Sequence, residues 1–266
     1  MVSARLEPAL SKAARSRGSI VLPYLLVDRH RASRTRAIAR AVREAGGEGI
    51  ELGFPFSDPL ADGPVLAHAS NRALQNGTRW SDLLRACRES SSELPTAVMT
   101  YANPLFHRGI DAALGAIADA GASGLIVPDL DLEDSQPWRT AARAHGLALV
   151  LLVAPSTPVG RVDEVARHSR GFLYVVGRYG TTGAETRSEG TRELIRVLRT
   201  ARASRPDLPV LVGFGVRDAP TTRGWIAAGA QGVIVGSAFE SAIGVAGDPG
   251  RARGFLTPIV AAARPR

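Results

Sequence analysis

Short runs of β-branched and aliphatic residues alternate along the chain with longer stretches in which Leu, Ile and Ala recur at helical spacing. The short runs predict strands and the longer stretches predict helices. The predicted strands lie at 19–26, 48–52, 95–100, 123–127, 147–153, 171–176, 209–213 and 231–235. The predicted helices lie at 3–16, 34–45, 64–75, 81–91, 109–119, 132–144, 159–168, 190–204, 218–228, 238–245 and 251–263.

This order of elements predicts the fold class. Eight strands, each followed by a helix and with no linker between two halves, indicate one α/β domain over residues 1–266, a (β/α)₈ TIM barrel with an additional N-terminal helix. A doubly wound open sheet is the alternative, but eight units exceed its usual number and no GxGxxG motif follows the first strand. In such a barrel the functional groups lie at the carboxyl ends of the strands.

Composition excludes several classes of protein. The 266 residues are 45% apolar, and no apolar run approaches the length of a membrane span. The net charge is +8, but the cations are dispersed along the sequence, which favours a solvated arginine-rich surface or attraction of an anionic substrate over nucleic-acid binding. A single cysteine, Cys87, and the lack of a secretory signal in residues 1–18 predict a cytoplasmic protein that does not bind membranes.

Two carboxylates follow the second predicted strand. If Ile50 and Leu52 pack outward against helices, Glu51 points into the barrel. Burial should raise the pKa of Glu51, which suits a group that donates and accepts protons near neutral pH, although a buried Glu that only fixes a loop amide is the alternative. Asp62 lies in a more polar loop and is expected to stay ionised, so the two side chains form a candidate acid/base pair.

Glycine-containing loops follow the last three strands. Gly213 and Gly215 end the seventh strand, and Gly236 and Ser237 end the eighth and begin a helix. Small residues let backbone N–H groups approach an anion, and these two loops are the usual phosphate site of a barrel. The sixth-strand loop, 178–184, is a third such segment. Each glycine alone could be a tight turn, but together they predict a phosphate site.

Other side chains carry weaker signals. The five histidines lack the spacing of a metal site, and the serines lack the G-x-S-x-G motif of a hydrolase. Cys87 is interpreted as a buried helix residue. Tyr101 and Tyr174 either face the site or pack in the core.

Segment 50–64, IELGFPFSDPLADGP, resembles the signature of the tryptophan synthase α subunit family, whose members are indole-3-glycerol-phosphate lyases. Further segments that are similar to this family are YANP at 101–104, LIVPDL at 125–130, APSTP at 154–158, the loop 178–183 and the glycines at 213–215 and 236–237. The resemblance spans nearly the whole chain.

The resemblance implies that the chain serves tryptophan biosynthesis by retro-aldol cleavage of indole-3-glycerol phosphate to indole and glyceraldehyde 3-phosphate, with Glu51 and Asp62 as the catalytic pair. It further implies that Thr182 lies on a loop that closes towards Asp62. The residues implied to bind the substrate or its phosphate are Tyr101, Tyr174, Thr182, Gly183, Gly213, Gly215, Gly236 and Ser237.

The resemblance also implies a partner, a β subunit in an αββα complex. No cofactor or metal is expected in this chain, and pyridoxal phosphate is expected only in the β subunit. The implied contact surface includes Pro55, Asp58, Asn103 and Asp129. The chain departs from the family at 27–30, where Val-Asp-Arg-His places bulkier and more cationic side chains after the first strand, and at Gly177 and Thr181, where Ser and Val are common.

Three other functions stay open from the sequence. The chain could be a free-standing lyase that releases indole, or a catalytically weak subunit that activates a β subunit. It could also be another phosphate-binding barrel enzyme, such as a sugar-phosphate isomerase, but such an enzyme is not expected to carry both Glu51 and the SDPLADG loop.

Overall fold

A computed structural model describes residues 5–16, 18–176, 184–213 and 215–264, with the backbone alone for 184–191. Eight parallel strands form a closed barrel in which each strand pairs with the next and the last pairs with the first. The strands are β1 (Ile20–Leu26), β2 (Ile50–Gly53), β3 (Thr96–Met99), β4 (Gly124–Ile126), β5 (Ala148–Val153), β6 (Leu173–Val175), β7 (Val210–Val212) and β8 (Gly232–Val235). The predicted (β/α)₈ barrel is confirmed.

Helices cover the outside of the barrel. They are α1 (Leu6–Ser16), α2 (Thr35–Ala45), α3 (Pro64–Gln75), α4 (Trp80–Ser91), α5 (Ala102–Phe106), α6 (Ile110–Asp119), α7 (Ser135–Ala144), α8 (Val159–His168), α9 (Ala184–Ser204), α10 (Ala219–Ala227), α11 (Ser237–Ile243) and α12 (Pro249–Ala263), with a 3₁₀ helix at Arg29–Arg34. Local signals explain their ends: Asp218 accepts a hydrogen bond from the Thr221 amide to cap α10, and α2 ends at Gly46, whose φ is 92°.

Side chains alternate between the two faces of each strand, as their period of two requires. Ile50, Leu52 and Val98 point outward and pack in one cluster with residues of the surrounding helices. Ile126, Val150 and other inward side chains fill the barrel interior in a separate cluster. The register places Tyr24 beside Glu51, and Glu51 beside Ala97, so these three side chains face the interior at one level.

Helix α1 closes the amino-terminal end of the barrel. Leu6 and Leu10 are fully buried among the interior side chains. The amide of Leu6 donates a hydrogen bond of 3.1 Å to Ser123 Oγ, just before β4. The described interior is therefore a packed core at this end, and the barrel interior is reached from the carboxyl ends of the strands.

Two elements were not predicted. The helix α5 has five residues and includes Pro104, so it is too short to show a helical period. The 3₁₀ helix begins after Asp28, whose side chain accepts a hydrogen bond of 2.9 Å from the His30 amide, and its sequence, RHRASR, lacks apolar periodicity. Helix α9 begins at Ala184, earlier than the predicted residue 190.

Candidate active site

A cavity of about 310 Å³ opens at the carboxyl ends of the strands. Its walls come from several strands and from the loops that follow β2, β7 and β8. The lining residues include Tyr24, Asp62, Gly63, Leu66, Met99, Leu152, Tyr174, Gly213, Gly215, Arg217, Gly236 and Ser237. The cavity thus gathers one carboxylate, two tyrosines and the glycines of the predicted phosphate site into one space.

Glu51 lies inside the barrel beside this cavity. Its side chain is fully buried, and neither carboxylate oxygen has a hydrogen-bond partner in the described part of the chain. Burial raises the pKa of Glu51 to about 8, so the carboxyl group is mostly protonated at neutral pH. The predicted inward orientation and raised pKa are both confirmed, and the alternative of a Glu that ties down a loop amide is wrong.

Asp62 lines the cavity at the end of the loop that follows β2. The sequence predicts an ionised side chain in a polar loop, but Asp62 is half-buried and burial raises its pKa to about 6. About nine in ten of these carboxyl groups are still ionised at pH 7. Near neutral pH, Glu51 is therefore mostly protonated and Asp62 mostly ionised, as expected. The gap between their two pKa values is smaller than it would be if Asp62 were fully solvated.

Tyr101 holds the loop that carries Asp62. Its hydroxyl accepts a hydrogen bond of 3.0 Å from the amide of Ala61, and its ring stacks on Phe56 with 5.0 Å between the ring centres. Ser70 fixes the same loop, because its hydroxyl bonds both the amide and the carbonyl of Phe56 at 2.9 Å. Tyr101 does not itself line the cavity. Its predicted contact with the substrate stays a prediction.

Two buried tyrosines lie close enough to both carboxylates to interact with their charges. Burial raises the pKa of Tyr174 well above its ordinary value, and the charges of Glu51 and Asp62 raise it further. Burial likewise raises the pKa of Tyr24, with further increases from Asp62, Glu240, Tyr101 and Glu51. Both hydroxyl groups therefore keep their protons near two acidic side chains. The sequence analysis missed Tyr24, although its register position beside Glu51 follows once β1 and β2 are aligned.

Glycines make room for these rings. A Cβ atom at Gly53 would overlap the hydroxyl and ring of Tyr24, and one at Gly213 would overlap the ring of Tyr174. Gly213 therefore lines the cavity and also accommodates Tyr174, so its role is not limited to a close approach to phosphate. By contrast, Gly215 has a φ of 69° and open space around its Cβ position.

The predicted phosphate site is gathered at one end of the cavity. Gly213, Gly215, Gly236 and Ser237 all line this cavity. The structure adds the exposed Arg217, a cation that the sequence analysis did not single out although it follows the seventh strand closely. Thr182 and Gly183 lie outside the described residues.

A buried ion pair fixes the helix that begins at Ser237. Glu240 Oε2 accepts a 2.9 Å bond from Arg31 Nη1, and Glu240 Oε1 accepts a 2.5 Å bond from the Leu26 amide. Arg31 Nη2 also donates to the Leu26 carbonyl at 3.1 Å. This cluster joins α11 to the end of β1 and so holds Ser237 and Tyr24 in fixed relative positions.

The segment 27–30 does not reach the cavity. Arg29 and His30 are exposed, Val27 packs in the outer cluster, and Asp28 caps the 3₁₀ helix and accepts hydrogen bonds from Asn76. None of these four residues is among those that line the cavity. Arg29 and His30 therefore place cationic side chains after β1, as the sequence indicates, without lining the cavity.

The described part of the chain offers no reactive cysteine and no metal site. Cys87 is buried in α4, and burial raises its pKa to about 12, so it is an inert thiol. Among the described residues, no group of three or more His, Cys, Asp or Glu side chains could hold a metal ion. No helix in the described ranges is both long enough and apolar enough to cross a membrane.

Comparison with known proteins identifies the family. The model of the tryptophan synthase alpha chain family matches residues 10–252. A tryptophan synthase alpha chain from Picosynechococcus sp. is 43% identical over 222 residues, 82% of each chain. A crystal structure of tryptophan synthase from M. tuberculosis has a TM-score of 0.86 and 33% identity, covering 99% of this chain and 100% of that one. A tryptophan synthase complex from Pyrococcus furiosus has a TM-score of 0.77 and 32% identity, covering 93% and 98%. The barrel holds a buried Glu, an Asp and several glycines at or beside one cavity, and the chain matches this family over most of its length. The chain therefore belongs to the tryptophan synthase alpha chain family, whose members are lyases that cleave indole-3-glycerol phosphate.

Proposed function

We propose that Glu51 and Asp62 carry out the retro-aldol cleavage of indole-3-glycerol phosphate in this chain, with Glu51 as the proton shuttle. The observation that carries this proposal is the state of Glu51. The side chain is fully buried, both oxygens lack hydrogen-bond partners among the described residues, and its pKa is about 8. A protein gains nothing in stability from such a group, so its presence beside a cavity favours a catalytic role.

The reaction needs two proton transfers that one carboxyl group can perform. Protonated Glu51 first gives its proton to ring carbon three of the indole, which leaves a positive charge on the ring nitrogen. The resulting carboxylate then takes the proton of the glycerol hydroxyl next to the scissile bond as the carbon–carbon bond breaks. The electron pair of that bond returns to the ring and neutralises the nitrogen. Indole and glyceraldehyde 3-phosphate are released, and Glu51 is protonated again.

Glu51 does not line the cavity, although Tyr24 and Tyr174, which interact with its charge, both do, so its side chain is proposed to turn towards the substrate during this cycle. No hydrogen bond within the described residues opposes that rotation. Tyr174 and Tyr24 lie close to both Glu51 and Asp62 and present neutral hydroxyl groups to them. We assign to them the shaping of the apolar pocket for the indole ring.

Asp62 stabilises the charge that develops on the ring nitrogen. Its carboxylate lines the cavity, is half-buried and is mostly ionised at neutral pH. A carboxylate with reduced solvation interacts more strongly with a developing positive charge than one in bulk water does. The bond from the Ala61 amide to Tyr101 keeps the preceding residue in place, which fixes the position of this charge.

The phosphate group binds at the opposite end of the cavity, near Gly213, Gly215, Gly236 and Ser237. Backbone N–H groups at these positions and the Ser237 hydroxyl supply the hydrogen bonds. Arg217 lines the same cavity, and its guanidinium lies 3.7 Å from the carboxylate of Asp218. The buried Glu240–Arg31 pair holds Ser237 against β1, so the phosphate site and the indole end keep a constant separation.

The partner proposed for this chain is a tryptophan synthase β subunit, which would carry pyridoxal phosphate and consume the indole; no cofactor is assigned to this chain. The matched Pyrococcus furiosus structure is of a tryptophan synthase complex. Two apolar side chains are exposed on segments that follow β2 and β3, Leu60 at 88% and Phe106 at 70%. Near them, Asp129 accepts a 2.9 Å bond from the Ala102 amide. We place the contact surface here, together with Pro55, Asp58 and Asn103, in a cytoplasmic complex.

Indole release from indole-3-glycerol phosphate tests the proposal, first with the isolated chain and then with the β subunit of the same organism. We expect Glu51→Gln to lower kcat by about 10²–10⁴-fold with little change in substrate binding. Asp62→Asn should lower kcat and leave competition by glycerol phosphate unchanged. Ser237→Ala should act in the opposite way, raising KM about 10-fold or more while kcat stays near that of the parent.

Full activity of the Glu51→Gln variant would remove Glu51 from the mechanism. A chain that forms a complex with the β subunit but releases no indole in either condition would instead be an activating subunit without catalysis. Rapid turnover by the isolated chain with no complex formation would establish the free-standing lyase.

A further inference from the structure

A second and larger cleft, of about 610 Å³, lies at the opposite end of the barrel from the candidate active site. It is bounded by the start of α1, by α7, by the end of α8 and by the segments that lead into β5 and β7. Six arginines from four separate parts of the sequence line it: Arg5, Arg139, Arg143, Arg167, Arg170 and Arg205. The fold therefore gathers in one cleft cations that the sequence shows only as dispersed along the chain.

Three of these guanidinium groups are neutralised by neighbouring carboxylates. Arg170 pairs with Glu7 at 2.9 Å, and Arg205 bonds both oxygens of Asp207 at 2.9 and 3.0 Å. Arg167 pairs with Asp163 at 2.6 Å. The charges act on one another across the cleft, since Glu7 contributes to the raised pKa of Arg205.

The other three arginines have no such compensation. Arg5, Arg139 and Arg143 form no ion pair with any carboxylate in the described part of the chain. Arg139 Nε is buried and has no hydrogen-bond partner there. The cleft therefore carries an excess of positive charge from Arg5, Arg139 and Arg143.

Ordinary structural roles explain some of these residues but not the group. Arg143 and Arg167 lie in the last turns of α7 and α8, where a cation interacts favourably with the helix dipole. That role does not extend to Arg139, which lies in the middle of α7, or to Arg5, which precedes α1. Their convergence on one concave surface is the observation from which a ligand is inferred.

From this arrangement we infer that the cleft binds a small anion with two or more phosphate groups. Guanidinium groups match phosphate oxygens in a bidentate geometry, and the three uncompensated positive charges exceed the negative charge of a single phosphate group, which is at most about two. A single-stranded nucleic acid would need aromatic side chains on which its bases stack, and the described lining of the cleft contains no Phe, Tyr or Trp. The site is independent of the catalytic proposal, because none of its residues lines the active-site cavity.

Inorganic tripolyphosphate is the probe for this site, and isothermal titration calorimetry of the full chain is the measurement. We expect saturable binding to the parent chain. The double variant Arg139→Gln/Arg143→Gln should bind at least about 10-fold more weakly, since each lost guanidinium removes charge-assisted hydrogen bonds. The control Arg36→Gln/Arg88→Gln removes the same charge from exposed helical positions away from the cleft and should bind within about twofold of the parent.

Two further variants keep the test decisive. Arg5→Gln/Arg143→Gln changes only exposed side chains, and it replaces the first pair if loss of the half-buried Arg139 prevents folding. Retained indole release shows that either double variant is folded. Ser237→Ala locates the anion, because binding in the cleft should be unaffected by it. The inference is overturned if the parent chain shows no saturable binding of tripolyphosphate. It is also overturned if the control variant loses as much affinity as the cleft variants, or if only Ser237→Ala loses affinity.

Discussion

Replacing Glu51 by glutamine is expected to stabilise the protein while it removes activity. The carboxyl group has a pKa of about 8 in the folded chain against an ordinary value of 4.5. Between these two values the unfolded chain carries an ionised Glu51 and the folded chain a protonated one, so folding takes up one proton. The contribution of Glu51 to the free energy of unfolding is therefore fully present below about pH 4.5, and it is lost as the pH rises through about 8.

The size of the effect follows from the shift in pKa. In this range each pH unit lowers the free energy of unfolding of the parent by about 1.4 kcal/mol, whereas glutamine does not titrate. At pH 7, two and a half units above the ordinary pKa, the loss is about 3 kcal/mol, and it levels off near 5 kcal/mol above pH 8. The amide of glutamine adds a constant that does not vary with pH. The diagnostic quantity is thus the difference in free energy of unfolding between Glu51→Gln and the parent, which should grow as the pH rises.

Urea unfolding of both proteins at several values between about pH 5 and about pH 8 measures this difference. Glu93→Gln is a control with the opposite sign, because Arg40 and Arg43 hold the pKa of Glu93 below its ordinary value. That variant should be less stable than the parent at neutral pH, and the deficit should fade as the solution is acidified. If the difference between Glu51→Gln and the parent stays flat over the whole range, Glu51 is not a desolvated acid and its assignment as proton donor fails.

Three further outcomes are expected. The pH profile of kcat/KM should be bell-shaped, falling below about 6 as Asp62 is protonated and above about 8 as Glu51 is ionised; a profile without the alkaline limb would contradict the role of Glu51. Glu240→Ala should lower the free energy of unfolding by about 3–5 kcal/mol in urea titrations, since it leaves Arg31 buried and unpaired. Gly213→Ala should lower both stability and kcat by displacing the Tyr174 ring, and a change in KM alone would show that Gly213 serves only the phosphate.

The strands and the orientation of Glu51 could be predicted because both depend on local periodicity. A period of two fixes which side chains of a strand face inward, so Ile50 and Leu52 on the outer side place Glu51 on the inner one. The observed strand ends lie within two residues of the predicted ones. The clustering of the glycines at one end of the cavity likewise follows from the rule that loops after the last strands of a barrel converge.

What the sequence could not show depends on contacts between distant segments. The pKa of Asp62 is raised because the barrel buries a loop that looks polar in isolation. Tyr24 became a candidate only through its register with Glu51. The arginine cleft combines residues from position 5 to position 205, and no pattern along the chain links them. The 3₁₀ turn after Val27 was not predicted because its sequence lacks an apolar period.

The closure of the barrel sets an order of events during synthesis. Strand β1 pairs with β8, and Arg31 finds its partner Glu240 only 209 residues later. At about 5–20 residues per second, a ribosome takes about 10–40 s to make that stretch. Throughout this interval the outer edge of β1 has no native strand beside it. The nascent chain thus passes through a stage in which one sheet edge can pair with other polypeptides, and that edge is covered only when β8 pairs with β1.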